Sequence, residues 1–221
     1  MSRIVNLGVL VSGSGSNLQS IIDHIEKGSL PAAIRIIVSN SPSAFALERA
    51  KKHGIPATVI GHAGFANRED YDRKVVETLN AHGVELVVLA GFMRVLSSSF
   101  LRAFPMRVMN IHPALLPSFP GTHGQRKAFD YGVKFSGCTV HFADEGVDTG
   151  PIIIQAVVPV YDTDTEEALS QRILKEEHRI YPQAIRLYAE GKLRVEGRKV
   201  RVLDHPQPEA IPRHNPPVTD F

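Results

Sequence analysis

Asn110 and His112 stand two positions apart in the apolar run Met109-Asn110-Ile111-His112, and Pro113 and Pro117 follow them. In an extended segment residues i and i+2 point to the same side, so an amide and an imidazole would share one face. The prolines forbid a helix directly afterwards and hold the loop open. A primary amide is a neutral donor for a developing oxyanion, and an imidazole takes up or releases a proton near neutral pH. Held rigid at a strand end, such a pair suits attack on a carbonyl carbon. The alternative is a structural Asn closing a turn beside a surface His.

Two further stretches can carry chemistry. Ser12-Gly13-Ser14-Gly15-Ser16-Asn17 lies between an apolar run and a helical pattern. Free backbone amides at a helix N-terminus make an anion site, and glycine lets the backbone approach a phosphate. No Gly-Lys-Ser/Thr follows, which excludes a triphosphate-binding loop. Leu18 stands where a dinucleotide loop needs its third Gly, and Ser39 and Asn40 stand where it needs an acid. A phosphate monoester fits this loop better, and a plain turn of small residues is the alternative. The other stretch is Asp144-Glu145-Gly146-Val147-Asp148-Thr149-Gly150-Pro151, which lacks the EF-hand spacing. It reads as a solvated turn unless Asp148 meets His112, where a carboxylate would orient the ring and raise its pKa.

The remaining reactive side chains are less informative. Cys138 is the single cysteine, which excludes a disulfide framework and points to a reducing compartment. It falls in the strand-like Gly137-Cys138-Thr139-Val140 and reads as a packed core thiol. His53, His62, His82, His141 and His178 form no metal-ligand spacing, so no metal is expected. A net charge of +2 does not suggest a nucleic-acid-binding protein. No apolar run approaches the roughly 20 residues of a membrane span, and the start resembles no signal peptide. The 221 residues suffice for one domain with a sizeable core.

The elements that must position these groups follow from periodicity. Strands are predicted over Ile4–Val11, Ala33–Val38, Ala57–Ile60, Leu86–Ala90 and Val108–Ile111. Helices are predicted over Leu18–Ile25, Ala44–Lys52 and Arg68–Ala81, with stops at Gly28, Gly54 and Gly83. Alternating strands and helices imply an α/β fold, a parallel sheet covered on both faces. The loops after Val11, Ala90 and Ile111 then fall at the carboxyl ends of the strands, where such sheets bind ligands. Phe135–Phe142 and Ile152–Val160 read as paired strands, and Thr165–Ala189 as a long capped helix that Pro182 is expected to kink. Leu193–Val195 and Lys199–Val202 suggest a hairpin, and the Pro-rich stretch from Asp204 an extended tail.

With these residues in view, the chain resembles the glycinamide ribonucleotide formyltransferases, purine-synthesis enzymes that use 10-formyltetrahydrofolate. The resemblance covers about Arg3 to Glu190. It rests on Ser12 to Asn17, Leu89-Ala90-Gly91-Phe92-Met93-Arg94, Asn110-Ile111-His112-Pro113 with Leu115-Leu116-Pro117, Asp148-Thr149-Gly150-Pro151, and Glu176-Glu177-His178 before Tyr181-Pro182. Thr149 departs mildly, since the family often has Gly there. The resemblance implies a Rossmann-like, mostly parallel twisted sheet with helices on both faces, and antiparallel strands toward the C-terminal half. It implies a catalytic domain over 1–190 and a C-terminal hairpin and Pro-rich tail over 191–221. Gly13, Ser14, Gly15, Ser16 and Asn17 would hold the substrate phosphate, and Glu177 its ribose hydroxyls. Arg68, Met93, Arg94, Val95 and Leu96 would line the folate pocket, with Asn110 beside it and Arg94 near the folate's glutamate. Ala143, Asp144, Glu145, Gly146, Val147 and Asp148 would meet the pterin ring. Asn110, His112 and Asp148 would be catalytic, with Asp148 keeping His112 charged.

The resemblance further implies small-molecule substrates, a cytoplasmic monomer or homodimer, and no metal, nucleic acid or membrane partner. A tRNA-directed formyltransferase is expected to carry a further C-terminal domain. A formyl-folate hydrolase is expected to carry a further N-terminal one. A catalytically dead binding module would not need the intact trio.

Overall fold

The β-branched and aliphatic runs of the first half form adjacent strands of one 9-stranded sheet, in the order β3-β2-β1-β4-β5-β6-β7-β9-β8. Its strands are β1 (Val5–Val11), β2 (Ala32–Ser39), β3 (Ala57–Val59), β4 (Leu86–Leu89), β5 (Val108–His112), β6 (Phe135–Phe142), β7 (Ile152–Pro159), β8 (Leu193–Glu196) and β9 (Lys199–Val202). The computed structural model describes residues 3–204 and Asn215, so most of the expected tail lies outside the described residues. β1 to β5 pair in parallel, while β5–β6 and β6–β7 are antiparallel. From β1 the chain winds outward to β2 and β3, then returns to place β4 on β1's other side. That reversal opens a crevice at the carboxyl ends of β1 and β4.

Helices cover both faces. Leu18, Ile21 and Ile22 of α1 (Ser16–Glu26), Ala46 and Ala50 of α2 (Ala46–Lys52), and Leu169, Ile173 and Ile185 of α6 (Glu166–Ala189) pack on one side. Tyr71, Val75 and Leu79 of α3 (Arg68–Ala81) and Phe100 of α4 (Ser98–Ala103) pack on the other. The predicted limits of α3 and β6 match the observed ones. Sequence periodicity missed α4 and α5 (Gly124–Tyr131). α4 is only 6 residues long, and α5 starts after His123 in the left-handed region, with no side-chain cap to announce it. Among the described residues no helix is long and apolar enough to cross a membrane.

Helix α6 runs on through Pro182. Proline removes the amide that would serve the carbonyl four residues back. That carbonyl belongs to His178, and Ser20 of α1 donates to it at 2.8 Å. One residue before the proline, Tyr181 is fully buried, and its hydroxyl reaches the carbonyls of Leu89 at 3.0 Å and Met109 at 2.8 Å. This hydroxyl ties α6 to the ends of β4 and β5, just before Ala90 and Asn110. Tyr181→Phe should lower unfolding free energy by about 1–2 kcal/mol, read by denaturant titration, because it removes the one buried hydroxyl proton that the two carbonyls share.

Candidate active site

The loop between β1 and α1 owes its shape to Gly15, which has φ +68. A Cβ there would lie 2.7 Å from the Ala46 Cβ and 2.9 Å from its Cα, so only glycine fits against α2. The loop is held from outside at three places. The Ala46 amide donates to the Gly13 carbonyl at 3.1 Å, Arg49 Nε to the Ser14 carbonyl at 2.9 Å, and the Met93 amide to Ser12 Oγ at 2.8 Å. The first helical bond of α1 runs from the Gln19 amide to the Gly15 carbonyl, leaving the amides of Ser16, Asn17 and Leu18 without intrahelical acceptors. Residues Ser12 to Asn17 with Ala90, Gly91 and Met93 line a pocket of about 190 Å³. Free amides at the positive end of a helix dipole give this pocket the chemistry of an anion site.

Asn17 and Glu177 meet behind that loop. Asn17 Nδ2 donates to Glu177 Oε2 at 2.7 Å, while Asn17 Oδ1 is buried without a partner. The Asn17 side chain is therefore turned to the carboxylate, and its backbone amide is what remains for an anion. Burial pushes the Glu177 carboxyl above the usual range, with the Asn17 bond opposing.

The second group gathers beyond β5. Asn110 and His112 share a face of the strand, as their spacing predicts. The turn from β6 to β7 is pinned over the strand by the Ala143 amide, which donates to the Val108 carbonyl at 2.8 Å. This brings Asp148 to both residues. His112 Nδ1 lies 3.2 Å from Asp148 Oδ2, and Asn110 Nδ2 lies 3.3 Å from Asp148 Oδ1. His112 Nε2 donates to the Phe119 carbonyl at 2.9 Å, and the Gly121 amide donates to Asp148 Oδ2 at 2.8 Å.

Sequence reasoning missed His141 as a member of this group. The β5–β6 register sets it opposite Asn110, and its Nε2 lies 3.2 Å from Asn110 Nδ2 and 3.5 Å from Asp148 Oδ1. The signal was available only to a reader who had paired β6 with β5 as well as with β7. The backbone contributions of Phe119 and Gly121 leave no side-chain signal at all. Arg49, which holds the Ser14 carbonyl, was also missed.

Charge in this cluster follows from its partners. Burial alone would raise the Asp148 carboxyl. The bond from His141, the Gly121 amide and the two imidazole charges outweigh that and hold it below its ordinary 3.8. Asp148 pulls the His112 pKa upward as expected, but the expectation that it keeps the ring charged needs correction. Burial pulls the imidazole below its ordinary 6.5, and the opposing pull of the Asp148 charge and the Phe119 carbonyl is too weak to restore it. The ring is only 4% exposed, so desolvation of the cation dominates in the unliganded site. Both ring nitrogens nevertheless face acceptors, a geometry that suits the imidazolium. Extra negative charge at the site would therefore tip the ring toward protonation. Cys138 is buried, and burial pushes its thiol well up, so it offers no nucleophile.

The expected folate-pocket residues are less uniform. Met93, Val95 and Val147 are exposed apolar side chains, while Leu96 and Ala143 pack against the core. Arg94 stacks over the Tyr71 ring at 4.4 Å, and its Nε is buried without a partner. Arg68 opens α3 and pairs with its neighbour Glu69, at 3.7 Å. The Asp144 carboxylate accepts from the Gly146 amide and from Thr149 Oγ, closing the tip of the Asp148 loop on itself. Glu145 and Gly146 are exposed on that tip. Among the described residues no group of three or more His, Cys, Asp or Glu is placed to hold a metal ion.

Comparison with known proteins bears on the chain as a whole. The family described as formyl transferase matches residues 5–185. The chain is 42% identical to the phosphoribosylglycinamide formyltransferase of Escherichia coli (strain K12), over 86% of this chain and 90% of that one. It is 49% identical to part of the trifunctional purine biosynthetic protein adenosine-3 of Drosophila melanogaster, over 86% of this chain but only 14% of that protein. The chain thus spans a small fraction of these trifunctional relatives. The crystal structure of glycinamide ribonucleotide transformylase 1 from Symbiobacterium toebii superposes with a TM-score of 0.91 at 51% identity, covering 92% of this chain and 96% of that one.

Proposed function

The chain belongs to the formyl transferase family, and on that premise we propose that it moves a formyl group from 10-formyltetrahydrofolate to the amino group of glycinamide ribonucleotide, a step of de novo purine biosynthesis. The observation that carries this reading is the meeting of Asn110 and His112 with the sequence-distant Asp148 at the end of β5, the strand beside β4, whose following residues help to line the anion pocket. The names of the E. coli and S. toebii relatives support the same substrate.

The residues divide the work as follows. The amides of Gly13 to Asn17 hold the substrate phosphate, and Glu177 with Asn17 meets its ribose. Exposed Met93, Val95 and Val147 offer apolar surface to a flat heteroaromatic ring, with Arg68 and Arg94 as cations for its acidic tail. The substrate amine attacks the formyl carbon directly, giving a tetrahedral intermediate. Asn110 turns an N–H to the new oxyanion, whose charge draws His112 to its protonated form. Asp148 orients the ring, and proton transfer from the amine to the leaving folate nitrogen completes the exchange. No covalent enzyme intermediate is required. Holding two substrates in line supplies much of the acceleration.

We place the unit over residues 1–190, in the cytoplasm, as a monomer or homodimer acting on small molecules without nucleic acid or membrane. The test is a coupled assay with purified protein. Tetrahydrofolate should appear only when both the formyl donor and the ribonucleotide are present. Release without the ribonucleotide would favour a hydrolase.

A further inference from the structure

The β8–β9 hairpin lies beyond the matched residues 5–185, and the reaction outlined above assigns it no task. Its position suggests one. The hairpin joins β7 through a single parallel pair, Ile152 with Lys199, where the chain leaves the Asp148 loop. Beside Lys199, in the hairpin turn, Arg198 Nη2 donates to the Thr149 carbonyl at 2.9 Å. Thr149 directly follows Asp148.

The loop needs such a hold. At its base it is closely packed: a Cβ on Gly150 would sit 1.7 Å from the Phe142 carbonyl oxygen, so the backbone passes there in close contact. At its tip the Asp144 bonds are internal to the loop. Asp148 itself sits at φ +55, a region a non-glycine residue enters only when its surroundings hold it. Among the described residues, the hydrogen bonds and ion pairs that reach 144–149 from elsewhere end on the Asp148 carboxylate or on the Thr149 carbonyl. The carboxylate bonds are the ones that must adjust during the reaction. The Arg198 bond is the one that does not touch the reacting groups.

We propose that Arg198 is a positioning residue for formyl transfer: it clamps the Thr149 carbonyl and so fixes the backbone that aims Asp148 at His112. The C-terminal hairpin is then a working part of catalysis, which extends the functional unit past residue 190. This rests on the formyl-transfer reading above. Arg198 is exposed, so its removal should leave the fold intact.

The test compares Arg198→Ala and Arg198→Lys with the parent protein in two measurements. The first is hydrogen exchange of residues 145–149 without substrate, where Arg198→Ala should exchange about five-fold faster, as loss of one solvent-exposed hydrogen bond implies. The second is steady-state kinetics, where kcat should fall about five-fold with the Michaelis constant for the ribonucleotide unchanged. Lys should restore most of both losses, and the melting temperature should stay the same. Exchange and kcat equal to the parent's would overturn the proposal. So would a loss that Lys does not restore and that follows a fall in melting temperature. A parent protein without turnover would overturn the formyl-transfer reading, and the role of Arg198 in it, whereas the exchange comparison needs no substrate and fails or holds separately.

Discussion

His112→Ala lowers kcat by on the order of 1000-fold while the Michaelis constant for the ribonucleotide stays within about two-fold. The imidazole faces Asp148 and the Phe119 carbonyl, whereas the phosphate pocket is lined from the β1–α1 loop and the residues after β4. The substitution therefore removes a charge-stabilising group that acts in the transition state and leaves ground-state phosphate contacts in place. The carboxylate left behind keeps the Gly121 amide and Asn110 Nδ2 as partners, so Asp148 should stay in position. Steady-state kinetics with both substrates checks this, with a melting curve to exclude unfolding. Equal losses in kcat and in ribonucleotide binding would contradict the role given to His112.

Asp148→Asn should have a comparable or larger effect, up to about 10,000-fold on kcat, the loss seen when a catalytic imidazole loses its orienting carboxylate. Asn suits the test because it accepts the left-handed backbone that Asp148 occupies. The charge has a second consequence. The carboxylate is the main influence opposing burial at His112. Without it the imidazole pKa should fall further below 6.5 in the unliganded protein. An NMR titration of the ring reads this directly, and an unchanged or higher value would contradict the assignment. The sign for stability follows from the depressed Asp148 pKa. Its contribution is present above the ordinary 3.8 and is lost as the pH falls through the lower folded-state value, so the Asn variant should lack that part of the acid sensitivity.

Much of the framework was legible from local signals. Asn67 accepts from the Asp70 amide and Thr165 from the Ala168 amide, so the caps of α3 and α6 sit where short polar side chains precede the apolar periodicity. The turn at Gly15 and the shared face of Asn110 and His112 also follow from residue type and spacing. Nonlocal facts were not legible in this way. The meeting of Asp148 with His112 came from the resemblance, because it depends on how the β6–β7 turn folds over β5. His141 enters through strand register, and Phe119 and Gly121 enter through their backbones. The depressed pKa of His112 is a property of burial, which no motif encodes. Arg198 lies in an exposed hairpin turn whose only distinction is the carbonyl that it reaches.

The most direct measurement is a crystal structure with glycinamide ribonucleotide and a non-transferable analogue of the formyl folate bound together. The account predicts the phosphate on the backbone amides of the Gly13–Asn17 loop and the formyl-mimicking oxygen within hydrogen-bonding distance of Asn110 Nδ2 and His112, with Asp148 still against the ring. A phosphate bound elsewhere, or Asp148 withdrawn from His112 with both ligands in place, would contradict it.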